Sequence, residues 1–135
     1  MIIRQHQFLR GISLLLAIVL VAFHLGLIFS GLVPNLVSRP LHLALALPWL
    51  FLLVEGRGFY RLSGVIFCLL GVSACLWIAW SHDMLSDQYG FLEGNFQLGI
   101  AVILLITVLE AARRAIGWPL PVVAATALAY GLLGQ

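Results

Sequence analysis

The stretch Leu109–Gln135, LEAARRAIGWPLPVVAATALAYGLLGQ, decides how the rest of the chain is read. An apolar helix running in from Phe96 meets Glu110, Arg113 and Arg114. Gly117, Trp118 and Pro119 then turn the chain, and a second apolar run follows. Paired cations between two apolar runs stay on the cytoplasmic side of a membrane, so the arginines set an orientation. Proline near the first turn of the second run removes an N–H that has no helical partner there.

Composition bears out the membrane setting. Hydrophobic residues make up 63% of the 135 and charged residues only 9%, and mean hydropathy is +1.13. A soluble domain carries about a quarter charged residues, and so apolar a surface calls for lipid or protein cover. All seven basic residues are arginine. They stand singly or in pairs between apolar runs, the pattern of topology signals rather than of a nucleic-acid patch.

Working outward, the runs predict an all-α integral membrane protein of five transmembrane helices forming one domain over 1–135. The expected spans are about 11–33, 36–54, 62–80, 96–112 and 118–133. The first run follows Arg4 and Arg10 as a signal peptide would. At about 22 residues, however, it exceeds a secretory core, and no A-x-A-like site follows. The second is the shortest; it needs Arg39 to snorkel outward and carries Pro48 inside. Between spans three and four, Ser81–Asn95 holds Asp83, Asp87 and Glu93. Leu85, Tyr89, Leu92 and Phe96 recur there at helical spacing, so part of this segment is expected as an interfacial amphipathic helix.

With the N-terminus cytoplasmic, Arg4, Arg10, Arg57, Arg61, Arg113 and Arg114 lie inside and Arg39 alone lies outside. That satisfies the positive-inside rule for five spans and puts the C-terminus in the periplasm. Two stripes of small residues, Gly64, Cys68, Gly71 and Cys75 in span three and Ala22, Gly26 and Ser30 in span one, are expected as helix–helix contact faces. Cys68 and Cys75 are about 10 Å apart along one helix, beyond disulfide reach, and read as small packing residues.

No phosphate loop, Cys-x-x-Cys pair or nucleophile elbow is present, and no catalytic or metal-binding residue is assigned. Intramembrane polar groups are the remaining candidates. His24 and His42 fall at depths about 5 Å apart in antiparallel spans. That leaves room for a second reading, a haem-binding membrane anchor for electron transfer, beside a plain interhelical role. Glu110 stands three and four residues before Arg113 and Arg114. The spacing predicts a helix-end ion cluster near anionic headgroups, open to contact with a partner.

Glu110-Ala-Ala-Arg113-Arg114-Ala-Ile-Gly117-Trp118-Pro119-Leu, with the run ending Ala-Tyr130-Gly-Leu-Leu-Gly134, resembles the N-terminal membrane region of TRAP transporter permeases. These are the tripartite ATP-independent periplasmic systems, and the likeness is to their TAXI branch. Arg39-Pro40-Leu41-His42-Leu43, with Phe51-Leu-Leu after it, is similar to the same family's second span. The likeness covers Gln97–Gly134 most closely and Arg39–Glu55 more loosely. It implies a small, non-catalytic permease subunit in the bacterial inner membrane with no cofactor. Its partners would be a large permease subunit, a periplasmic TAXI-type binding protein and membrane lipid, and its role would be ion-driven uptake of organic anions. Fused TAXI members continue into the large domain where this sequence stops, so a separately encoded small subunit is expected. Glu110, Arg113, Arg114, Trp118, Arg39 and His42 are the residues expected at a partner or lipid interface.

Overall fold

The computed structural model describes residues 2–53 and 58–134, with side chains from Gly11 onward. Among the described residues six helices follow one another: α1 (Ile2–Ser30), α2 (Asn35–Leu52), α3 (Phe59–Trp80), α4 (His82–Asp87), α5 (Gly94–Ile116) and α6 (Pro119–Leu133). Their order and direction follow from the apolar runs and the breaks between them.

Three of these helices are long and apolar enough to cross a membrane: α1 over Gly11–Ser30, α3 and α5. The other two expected spans are shorter. Helix α2 has 18 residues, with Arg39, Pro40 and Pro48 inside it. Helix α6 has 15, about 22 Å at 1.5 Å per residue against a hydrocarbon core of roughly 30 Å.

Several boundaries differ from those the hydropathy suggested. Helix α1 ends at Ser30, not Val33, because the chain leaves the helix at Gly31 (φ 57°) and Val33 precedes a proline, which disfavours helical backbone. Helix α3 begins three residues before its expected span and ends with it at Trp80, while α5 begins before and ends beyond its own, since helical hydrogen bonding continues through the flanking residues. The expected end of span two at Val54 and the loop residues Glu55 and Arg57 lie outside the described residues, as do the side chains of Arg4 and Arg10. The amphipathic stretch between α3 and α5 is helical only as α4. Left-handed backbone at Tyr89 (φ 51°) and Gly90 (φ 89°) stops it, so Leu85, Tyr89, Leu92 and Phe96 do not share one helix face. Helix α5 then starts under a local cap, in which the Glu93 N–H donates to Gln97 Oε1 at 2.8 Å.

The centre of the molecule is the up–down trio α2, α3 and α5, with α2 and α3 the most closely packed pair. Every fully buried position of α3 is small: Gly64, Cys68, Gly71, Ala74 and Cys75. The small-residue stripe read from the sequence is therefore the contact face of α3. Leu47 and Phe51 of α2 fill the space beside Cys68, with Leu43, Phe67, Val72 and Ala111 packed around them. Both cysteines are buried free thiols.

The second stripe behaves differently. Ala22, Gly26 and Ser30 are exposed, and a Cβ placed on Gly26 would meet nothing within 4 Å. Among the described residues, helix α1 packs only on α2, and α6 only on α5. Helix α1 has none of its apolar span buried, and Ile28, Phe29 and Leu32 are 74%, 86% and 90% exposed. Surfaces of this kind are compatible with lipid and not with water.

Candidate functional site

Glu110, Arg113 and Arg114 occupy the last two turns of α5, where cations also meet the partial negative charge of the helix end. Arg113 grips the carboxylate with two donors: Nε reaches Glu110 Oε2 at 2.7 Å and Nη2 reaches Oε1 at 2.6 Å. Arg114 Nε donates to the same Oε1 at 2.7 Å. One carboxylate thus holds two guanidinium groups, and the cluster keeps one net positive charge.

The two arginines diverge beyond that shared acceptor. Consecutive helical residues point about 100° apart, and here that step separates the interior from the rim. The Arg114 side chain is 2% exposed and that of Arg113 is 29%. Arg114 enters the trio of helices, where Nη2 donates to Ser63 Oγ at 2.8 Å and Nη1 to the Tyr60 carbonyl at 3.3 Å. The Ser63 hydroxyl donates in turn to that carbonyl at 3.0 Å. The guanidinium carbon lies 4.1 Å from the Tyr60 ring centre and 4.9 Å from that of Phe51. Stripping a cation of water costs several kcal/mol, recovered only when its donors and charge are met; three acceptors and two aromatic faces do so here.

Gly64 makes room for this. A Cβ at that position would lie 2.8 Å from the Phe51 carbonyl oxygen and 2.9 Å from Arg114 Nη1. Only a residue without a side chain lets the end of α2, the start of α3 and the guanidinium converge. Tyr60, Ser63, Gly64 and Phe51 therefore belong to the site, although sequence reading assigned none of them to it. The signal was faint: Tyr60, Ser63 and Gly64 stand at helical spacing just after the Gly58 break.

Arg113 turns outward and lies over Trp118, 5.4 Å from the ring centre. Trp118 is placed by Gly117, whose φ of 97° ends α5. A side chain would strain that left-handed conformation. Glu110, Arg113, Arg114 and Trp118 thus form one site at one end of the bundle.

Arg39 and His42 do not join it. They lie at the opposite end of α2, where Leu27, Ser38, Arg39 and His42 surround a cavity with His24 of α1. The His24 and His42 rings meet edge to face, with centres 4.7 Å apart and planes at 89°. The matched depth read from the sequence is thus a direct contact. A haem held between these two histidines would need the rings to part by the thickness of a porphyrin. His24 Nδ1 instead pairs with the Leu20 carbonyl of its own helix at 2.8 Å. The pair serves as the meeting point of α1 and α2.

Comparisons with protein-family models, curated proteins and solved structures return no match to this chain.

Proposed function

We propose that this chain is the small, non-catalytic permease subunit of a TAXI-type TRAP transporter in the bacterial inner membrane. In this reading it is a fixed scaffold beside a large subunit that carries the moving transport domain. A periplasmic binding protein supplies organic anions, and an ion gradient drives uptake. The observation that carries the reading is the position of Arg114. The motif that resembles the family, Glu110-Ala-Ala-Arg113-Arg114, is also the hub that ties α2, α3 and α5 into one rigid unit.

Two further features support it. The trio's interior is filled with Leu47, Phe51, Cys68, Ala74 and Cys75, the packing of a support. Helices α1 and α6 each rest on a single neighbour, leaving wide apolar flanks for a larger membrane protein. The topology belongs to the same proposal: α2 and α6 cross with the others, the N-terminus is cytoplasmic and the C-terminus periplasmic. Arg61, Arg113 and Arg114 at one end and Arg39 at the other agree with that orientation.

The test is reconstitution. The chain alone in vesicles, under an imposed Na⁺ or H⁺ gradient and with a binding protein present, is expected to carry no organic anion. Uptake should begin when a large TAXI-type permease subunit is added and should require both chains. Uptake by the lone chain, or full activity of the large subunit without it, overturns the proposal.

A further inference from the structure

Helix α6 leans on α5 alone, so a groove opens between α6 and α3 with α5 as its floor. Its volume is about 350 Å³, within the roughly 300–1,000 Å³ of ligand sites. Phe67, Ile106, Val122 and Ala125 line its length, while Arg113 and Trp118 stand at its head. From Arg113 down to Ile106 is two helical turns, about 10 Å.

The charge at the head is not balanced. Glu110 offsets one of two arginines, and Arg114 is enclosed with all three of its nitrogens engaged. The surplus positive charge therefore faces outward at Arg113. Its Nε and Nη2 are committed to Glu110, and Nη1 has no hydrogen-bond partner among the described residues. Trp118 beneath the guanidinium holds it over the mouth of the groove.

A cation above a narrow apolar channel is complementary to one molecule in particular. We infer that the α3–α5–α6 groove is a binding site for an anionic phospholipid, with the phosphate on Arg113 and one acyl chain against Phe67, Ile106 and Val122. The groove does not drive binding by hydrophobicity, because a lipid tail is as well placed in the bilayer. It fixes one chain by close packing, so that the headgroup falls on the guanidinium. Basic pockets between helices on the cytoplasmic side recognise anionic headgroups on the same chemistry. The inference does not rest on the transporter reading, since it needs only the groove and its uneven charge.

The test uses Trp118 as a reporter. In a W49F/W77F/W80F variant of the full chain, Trp118 is the one remaining tryptophan. Phosphatidylglycerol with brominated chains, a minor component of phosphatidylcholine nanodiscs, should quench it more than brominated phosphatidylcholine does. R113Q should remove that preference, and A125F, which fills the groove, should weaken quenching by both lipids. Native mass spectrometry of the chain with its tryptophans intact gives an independent reading. Retained phosphatidylglycerol should fall about fivefold in R113Q, the factor for one cation at a membrane surface. Equal quenching by the two lipids, or a preference that survives R113Q, overturns the site.

Discussion

Arg113 and Arg114 are the same residue type on the same helix turn, and their surroundings give them opposite duties. Arg114 is enclosed by Glu110, Ser63, the Tyr60 carbonyl and two aromatic rings, whereas Arg113 is a rim cation over Trp118. Removing one member of a buried charge network costs about 3–5 kcal/mol, because what remains is buried and unmet. R114Q is therefore expected to lower unfolding free energy in detergent by about 3 kcal/mol, and R113Q to leave the transition nearly where it was. Equal effects would mean that Arg114 is not enclosed. E110Q should resemble R114Q, since it strands the buried guanidinium. Thr107 supplies a contrasting case: it is fully buried and its hydroxyl has no hydrogen-bond partner among the described residues. An unpaired buried hydroxyl costs about 1–3 kcal/mol. T107V, of nearly the same shape, should raise the unfolding midpoint, and a lower midpoint would show that the hydroxyl is in use.

At the scale of the helix, the small face of α3 sets how closely its neighbours approach. A Cβ on Gly71 would stand 2.6 Å from Leu47 Cδ1 and 2.7 Å from Thr107 Cγ2, and one on Gly64 would meet backbone. Alanine favours helix over glycine by about 1 kcal/mol, yet overpacking a tight contact costs about 1–3 kcal/mol. G71A should destabilise modestly, because two side-chain tips can yield. G64A should destabilise more, because the Phe51 carbonyl cannot. G26A on α1, with open space around it, should be neutral or slightly stabilising. Thermal denaturation of the three variants in one detergent checks the ranking G64A, G71A, G26A. The same comparison shows what could be read from spacing alone. Both stripes place small residues at similar helical spacing, but only the one on α3 faces other helices. Period identifies a face that permits close approach; it carries no information on which neighbour arrives.

For the molecule as a whole, stability is expected to be uneven. The trio α2, α3 and α5 shares a core and a charge hub, while α1 and α6 are each held by one neighbour. Elements with few partners open at lower free energy than those in the core. Amide exchange in detergent should therefore be faster along α6 and the Gly11–Ser30 part of α1 than in the middle of α3. Uniform protection would mean that the flanking helices are locked more tightly than their contacts indicate. A maleimide should label Cys68 and Cys75 only after unfolding, since both thiols are buried in the trio. A reporter fused after Gln135 addresses the proposed topology, with activity expected only from the periplasm; a cytoplasmic signal would remove α2 or α6 from the set of spans.

The sequence by itself determined that the chain is helical and apolar and that Glu110 stands where it can pair with both arginines; it announced five spans, of which the structure makes three helices long and apolar enough to cross a membrane. Those properties are local. Hydropathy over a helix length and i, i+3 and i, i+4 spacing act within one element, so composition and period are enough to specify them. The tertiary structure alone decided that Arg114 is enclosed while Arg113 is not, that Gly64 yields space to the Phe51 carbonyl, and that Arg39 and His42 sit with His24 at the other end of the bundle. Each depends on which faces of separate helices meet. In so uniformly apolar a chain many pairings bury similar surface, and the choice among them rests on shape and on satisfying one buried charge.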